Sequence, residues 1–443
     1  MPSDLQCEIE MPSSESQDQI IVPVRSLKLN CSWMLAGNLI YSASQWGILT
    51  VLAKLGSPEM VGKFAMGIAV SAPIIMFSNL QLRQVQATDA RGKYLFTDYL
   101  GLRLFATTIA WLVIIGVACI GRYGVELGLV IIAVGLAKAL ESLSDVYFGL
   151  FQQHERMDLV ARSIIMKGIV SVICVGVVIY VTRSVLWGVL AMAGAYALRL
   201  FLFDMGNARQ VLASINPALG KSRFQKPSTN VPILLEIAKL AVPLGVCTLL
   251  LSLNVNIPRY FIEHFGGVRQ LGYFAATSYI MVVGSTIASA LGQSVCPRLA
   301  KYYAARRLDD FRSLTLKLLG LGIVMGIVEV GVVALAGKKI LTILYKPDYA
   351  STYKVFILVA IASAIADIGS FLSYGMTAAR QFKVQVPIAA ISLALTIPAC
   401  AVFIPRYGLY GAGLSLIVCS TVQAAGGAWV NKRAMDELRG DPS

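Results

Sequence analysis

Inside an otherwise apolar stretch, Lys138, Glu141 and Asp145 follow one another at i, i+3 and i+7, so a helix sets all three on one face. A charge facing hydrocarbon costs about 2.5–3.5 kcal/mol at a helix centre, so these groups must face other protein or a water-filled cavity. Two arrangements meet that requirement. The three line one wall of a charged cavity, or Lys138 and Glu141 neutralise each other while Asp145 bonds to another helix. Asp367 poses a different question. It shares a stripe with Ser363, Ser370 and Tyr374 and has no cation three or four residues away. It is a candidate for ion coupling, with a hydrogen bond to a neighbouring helix as the structural alternative. Glu329 is a weaker candidate of the same kind, and Glu141 and Asp145 complete the set of acidic groups that a coupling ion would use.

Uncharged hydrogen-bonding residues form further stripes: Asn38, Ser42 and Gln45; Thr248, Ser252 and Asn256, with Asn254 close by; and Ser285, Ser289 and Gln293. Such faces suit sugar hydroxyls, and they equally suit bonding between helices. Arg83 closes the run Asn79–Arg83, which also holds Gln81, and Arg298 stands in a comparable place later on. A guanidinium there either meets a pyrophosphate through forked hydrogen bonds or anchors the chain at the headgroups.

The elements that carry these residues are apolar runs of some twenty residues separated by short basic turns, each long enough to cross about 30 Å of hydrocarbon as a helix. The windows fall at 31–53, 61–82, 100–121, 125–150, 163–182, 185–206, 233–257, 273–296, 314–337, 354–377, 384–404 and 408–430. The expected fold is all-α: a polytopic membrane protein of twelve transmembrane helices in two six-helix bundles around a central cavity. The polar, basic connection 207–232 divides the bundles (31–206 and 233–431), between an N-terminal tail (1–30) and a C-terminal tail (432–443).

Composition agrees with a membrane protein, at 57% hydrophobic and 14% charged residues with a mean hydropathy of +0.70. A net charge of +14 would suggest nucleic acid as partner in a soluble protein. Here Lys and Arg cluster at helix ends instead, so no nucleic acid is expected. With both termini in the cytoplasm, 25 of the 38 basic residues fall on the inner side, Arg103, Arg162 and Lys167 among them, as the positive-inside rule requires. The exception is Lys338, Lys339, Lys346 and Lys354 in the one sizeable outer loop. The tail before Arg25 carries Asp4, Glu8, Glu10, Glu15 and Asp18 and lacks the basic start and apolar core of a signal peptide. The eight cysteines include no CxxC, and neither a metal site nor a disulfide framework is expected. No GxxxxGK[ST] occurs, so no nucleotide or other cofactor is expected.

The halves also resemble each other. LAKLGSPEMVGKFAMGIAV (52–70) matches FIEHFGGVRQLGYFAATSYI (261–280), with Gly62-Lys63-Phe64-Ala65 on Gly272-Tyr273-Phe274-Ala275, an offset of 210. FGLFQQHERMDLV (148–160) lies against YGMTAARQFKVQV (374–386) at an offset of 226, and LWGVLA (186–191) against LYGAGL (409–414). Six spans followed by six put both repeats in one orientation, with a pseudo-twofold axis along the membrane normal and a cleft between the bundles.

The segments GNLIYSASQWGILTVLAKLGSPEMVGKFAMGIAVSAPIIMFSNLQLRQVQATD (37–89), ALESLSDVYFGLFQQHERMDLVARS (139–163) and NVNIPRYFIEHFGGVRQLGYFAA (254–276) resemble the polysaccharide transporter, or O-antigen flippase, family. That family shares a superfamily with multidrug exporters and lipid II flippases. The resemblance implies movement of an undecaprenyl-pyrophosphate-type lipid-linked oligosaccharide to the outer leaflet of a bacterial inner membrane, with membrane lipids and polysaccharide polymerase or export machinery as partners. It also implies a cationic cavity, which here falls to Lys138, Arg199 and Arg83. It implies a transporter and not an enzyme. The competing functions are a cation-coupled multidrug antiporter and a membrane glycan polymerase; the latter typically carries a large outer loop, which this chain lacks.

Overall fold

In lipid every backbone N–H and C=O must find its partner within the chain, and the computed structural model is helical wherever the apolar runs lie. It describes residues 27–87, 89, 93–215, 226–379 and 381–439. The acidic tail, Arg25, Arg91, Arg380 and the linker residues Lys221 and Arg223 lie outside the described residues.

The helices are α1 Leu27–Leu55, α2 Pro58–Asn79, α3 Leu82–Ala87, α4 Phe96–Ile120, α5 Val125–Gln153, α6 Met157–Thr182 and α7 Val185–Arg199. A π-helical turn, Leu200–Asp204, leads to α8 Met205–Ile215. There follow α9 Val231–Ala304, α10 Leu308–Leu344, a 3-10 turn Pro347–Thr352, α11 Tyr353–Ala378, α12 Phe382–Tyr407 and α13 Leu409–Arg439. Among the described residues, ten stretches are long and apolar enough to cross a membrane. One of them, within the 74-residue α9, holds two crossings, because Gly267 (φ 76°, ψ 172°) takes a conformation no helix contains and turns the chain back. The more polar α1, of 29 residues, completes twelve. Several helices outrun the apolar windows: α1 starts at Leu27 and α13 continues to Arg439, into residues expected to be tail. The basic linker is likewise helical at its start, through α8.

Outward faces are apolar. On α6, Met166, Ile169, Val170, Ile173 and Val177 stand exposed at one-turn spacing, the surface a helix offers to lipid. Inward faces pack in two groups. In the first, α1 lies on α6, α4 and α7 on α5, and α2 on α5; in the second, α13 holds α11 and α12, and α11 holds α10 and α9. The most extensive packing between the groups is α2 against α9.

The repeat is visible in turn geometry. After α5, the Arg156 amide donates to Phe151 O (2.8 Å) and the His154 amide to Leu150 O; after α11, the Gln381 amide donates to Met376 O (3.0 Å) and the Ala379 amide to Gly375 O. These are the same helix-ending motif. The bonded residues correspond at an offset of 225, one residue from the register read in the sequence; the end of α9 carries the same motif, with the Arg307 amide donating to Tyr302 O (2.9 Å) and the Ala305 amide to Lys301 O. Gly62 and Gly272 also correspond, and they meet. A Cβ on Gly272 would lie 1.9 Å from Pro58 O and 3.0 Å from the Gly62 nitrogen, and one on Gly62 would lie 1.8 Å from Val268 O. The two backbones pass so closely that neither position has room for a side chain.

Candidate functional site

Between α1, α2, α5 and α6 lies a cavity of about 380 Å³, with Thr248 of α9 also in its lining. Its charged lining comes from Arg83, Lys138, Glu141, Asp145 and Lys167, and its neutral polar lining includes Asn38, Tyr41, Asn79 and Gln81. Helical spacing brings Lys138, Glu141 and Asp145 to one wall, as expected, and both arrangements foreseen for them occur together. Glu141 accepts from Lys138 Nζ at 2.8 Å, while Asp145 turns to other helices, meeting Arg103 at 3.1 Å and Arg83 at 3.6 Å. The wall is nevertheless part of the cavity.

Arg83 reaches the cavity because the chain breaks just before it. Leu80 (φ 49°) and Gln81 (φ 51°) are both left-handed, a costly conformation for residues with a Cβ, and the break separates α3 from α2. Thr248 Oγ1 donates to Met76 O at 3.2 Å, satisfying a carbonyl in the last turn of α2. Arg83 then donates to Gln152 at 3.1 Å and lies 5.5 Å above the Phe148 ring.

Two cations counted as inner-side anchors belong to the interior. Arg103 is completely buried and bonds to Asn79 (2.5 Å), Ser142 (3.3 Å) and Asp145. Lys167 is 4% exposed, bonds to Glu141 at 2.5 Å and sits 3.8 Å above the Tyr41 ring. The signal was present in their distance from the helix start. Arg103 lies in the second turn of α4 and Lys167 in the third turn of α6, deeper than an anchor at the headgroups. Arg199, assigned to the cavity by resemblance, does not line it. It lies behind the wall, donating to Ser163 (2.5 Å) and Ser144 (2.6 Å) and pairing with Asp204 at 3.5 Å across the π-helical turn.

The uncharged stripes part company. Asn38 lines the cavity, but Ser42 and Gln45 do not. Ser42 instead offers its carbonyl to Tyr279 at 2.7 Å. Asn254 donates to Leu250 O and Ala389 O, and Asn256 donates to Ser252 O and accepts from Arg259, so both bond helix to helix or turn to turn. Gln293 is exposed. Asp367 stands elsewhere, in the second group of helices. It is 1% exposed, its Oδ2 has no hydrogen-bond partner, and it looks onto Gly284, where a Cβ would fall 2.5 Å from that oxygen. Glu329 lies within electrostatic range of it, also with a buried unpartnered oxygen, and Ser363 lies beside both.

The two ends of the molecule differ. At the end where α1 begins and α13 stops, the cavity extends to the ends of α2 and α5, to Asn79, Arg83 and Phe148. At the opposite end the two groups are sealed together. There the glycine contact is joined by Lys346 Nζ donating to Gly56 O (2.6 Å), Trp46 to the Tyr345 hydroxyl (3.2 Å), an Arg269–Glu59 pair (3.4 Å), and deeper in by Tyr260 donating to Ala69 O. The lining of the cavity therefore lies toward the end where α1 begins and α13 stops, away from the seal.

Residues 27–303 match the family described as polysaccharide biosynthesis protein. The capsular polysaccharide biosynthesis protein CapF of Staphylococcus aureus is 26% identical over 394 residues, which cover 89% of this chain and 96% of that protein. Among solved structures, an inward-facing multidrug resistance transporter of the MATE family, MOP superfamily, aligns with a TM-score of 0.64 at 12% identity, covering 94% of this chain and 97% of its own. A MOP superfamily transporter from Pyrococcus furiosus, whose binding pocket is described as having reverse polarity, aligns with a TM-score of 0.62 at 13% identity, covering 92% and 95%. At such identities these likenesses establish the fold.

Proposed function

This chain belongs to the polysaccharide biosynthesis protein family, and on that premise we propose that it is a transporter that flips a polyprenyl-pyrophosphate-linked oligosaccharide from the cytoplasmic to the outer leaflet of a bacterial inner membrane, a reading its likeness in fold to MOP superfamily transporters supports. The observation that carries the proposal is the cavity itself. Lys138, Lys167 and Arg83 look into it against the carboxylates of Glu141 and Asp145, leaving an excess of positive charge inside the membrane. A cationic chamber suits an anionic headgroup and disfavours the cationic substrates of a drug exporter. With both termini cytoplasmic, as the distribution of Lys and Arg favours, the chamber faces the leaflet on which such glycans are built. The headgroup enters, the two groups of helices rock so that the seal around Gly62 and Gly272 parts, and the lipid tail remains among acyl chains.

Asp367 and Glu329 are the proposed site of the coupling cation. Asp367 is buried and Glu329 half-buried, each with one buried oxygen lacking a partner, and such a pair gains from a shared proton or metal cation. This part of the molecule also fits the antiporter reading.

The test is the inventory of lipid-linked glycans, resolved by leaflet, in cells lacking the protein. Completed units should accumulate on the cytoplasmic leaflet and return to normal with wild type but not with Lys138→Ala at equal expression. Unchanged glycans with new sensitivity to cationic drugs would move the assignment to the antiporter. Single units collecting in the outer leaflet would indicate a polymerase.

A further inference from the structure

Glu141 receives more hydrogen bonds than a spacer between two lysines requires. Its Oε2 accepts from Lys138 Nζ at 2.8 Å, and its Oε1 accepts both from Lys167 Nζ at 2.5 Å and from the Tyr41 hydroxyl at 2.8 Å. The donors come from three helices, α1, α5 and α6, converging on one carboxylate. Two ammonium groups and a phenol around two oxygens form the arrangement that a phosphate would use. The protein fills it with its own side chain.

The second acidic group on this wall, Asp145, behaves differently. Its main partner, Arg103, is wholly buried and is itself pinned by Asn79 and Ser142, so that pair is fixed by the fold. Glu141 and Lys138 are each about a quarter exposed to the cavity (24% and 26%). Lys167 is held in place, with its ammonium over Tyr41 and its side chain 4% exposed. The carboxylate therefore has somewhere to go and its deeper partner does not.

We propose that Glu141 is a resident counter-ion that the substrate's phosphate groups displace, taking over the donors of Lys138, Lys167 and Tyr41. The inference rests on the flippase reading above and adds a specificity mechanism to it. While the cavity is empty, Glu141 spares two ammonium groups the cost of facing each other inside the membrane. An entering anion must bind those donors better than a carboxylate already in place. A diphosphate diester, with two charges and several acceptor oxygens, offers more than the resident group; a single carboxylate or a monoanionic phosphodiester offers no more. Glu141 thus selects pyrophosphate-linked substrates over the phospholipids that surround the protein in far greater number.

The experiment is binding of inorganic pyrophosphate by isothermal titration to the full chain in lipid nanodiscs, with acetate as the single-charge control. Wild type should bind pyrophosphate and ignore acetate. Glu141→Gln, which keeps the shape and removes the charge, should bind pyrophosphate about tenfold more tightly and begin to bind acetate. Glu141→Asp, with a shorter reach to the lysines, should fall between the two. Lys167→Gln should lose pyrophosphate binding in either background. If wild type and Glu141→Gln bind equally and Lys167→Gln abolishes both, the anion site stands and the counter-ion role is wrong. If Glu141→Gln weakens binding while eluting as a folded monodisperse protein, Glu141 is a ligand and not a competitor. If no variant binds pyrophosphate, the anion site and the flippase reading fall together.

Discussion

Replacing Gly62 with alanine should shift the protein toward a form open at the end opposite the start of α1. The added Cβ would lie 1.8 Å from Val268 O and 2.8 Å from Val268 C, where ordinary contacts begin at 3.4 Å. Relief by a rotamer change is closed off, because the obstacle is backbone and alanine has no rotamer. The first turn of α2 and the segment after Gly267 must therefore separate by about 1.6 Å, the difference between those distances. Overpacking of this order costs about 1–3 kcal/mol. That cost falls only on the state in which the two segments touch, so it shifts the equilibrium between closed and open forms by about 5–150-fold. Opening would also release Lys346 from Gly56 O and Trp46 from Tyr345, so the separation should propagate across the seal. The assay is reaction of a membrane-impermeant maleimide with a cysteine at buried Ala276, in a chain stripped of its eight natural cysteines. Gly62→Ala should raise the labelling rate from the sealed side and lower pyrophosphate access from the other. Gly331→Ala, which meets nothing within 4 Å, is the control. An unchanged rate in Gly62→Ala of wild-type stability would refute the claim that this contact closes the molecule.

Arg103→Ala should destabilise the protein by about 1.5–3 kcal/mol in reversible unfolding from detergent, because it removes the wholly buried guanidinium that bonds Asp145 and Asn79, while Asp145 keeps Arg83 and Asn79 keeps Ser142. Asp367→Asn should keep the fold and pyrophosphate affinity, since Asp367 is remote from the cavity lining. In proteoliposomes it should abolish the dependence of flipping on a proton or sodium gradient; a full response to both gradients would remove Asp367 from coupling.

Hydropathy alone makes the crossings legible because the bilayer imposes one length on all of them. Where helices leave the lipid, that constraint ends, which is why α1, α8 and α13 extend into residues read as tail or linker. Side-chain direction is harder to read. Arg103 and Lys167 carry the same charge as headgroup anchors and sit only one or two turns deeper, and a count of Lys and Arg by loop is blind to depth. The Lys138–Glu141–Asp145 wall was legible because i, i+3 and i+7 fix a face whatever the partners are. The partners themselves, Tyr41, Lys167 and Arg103, come from three other helices and follow only from tertiary packing. Asn254 and Asn256 show the opposite limit. Their spacing reads as a polar face, but an asparagine amide can spend its donors on its own helix's carbonyls, and both do.

Gly62 and Gly272 occupy equivalent places in consecutive repeats and touch one another, so the rotation axis passes through their contact. In an oligomer this would be an isologous interface, in which a surface binds its own copy. A single six-helix half, made as a separate chain, would carry one such glycine and could pair with a second copy through it, so duplication and fusion would have required no new interface. Fusion would then have released the halves from identity everywhere except at that point. They have used this freedom: one now holds paired charges around a chamber, and the other holds two carboxylates, each with one buried oxygen left unpartnered.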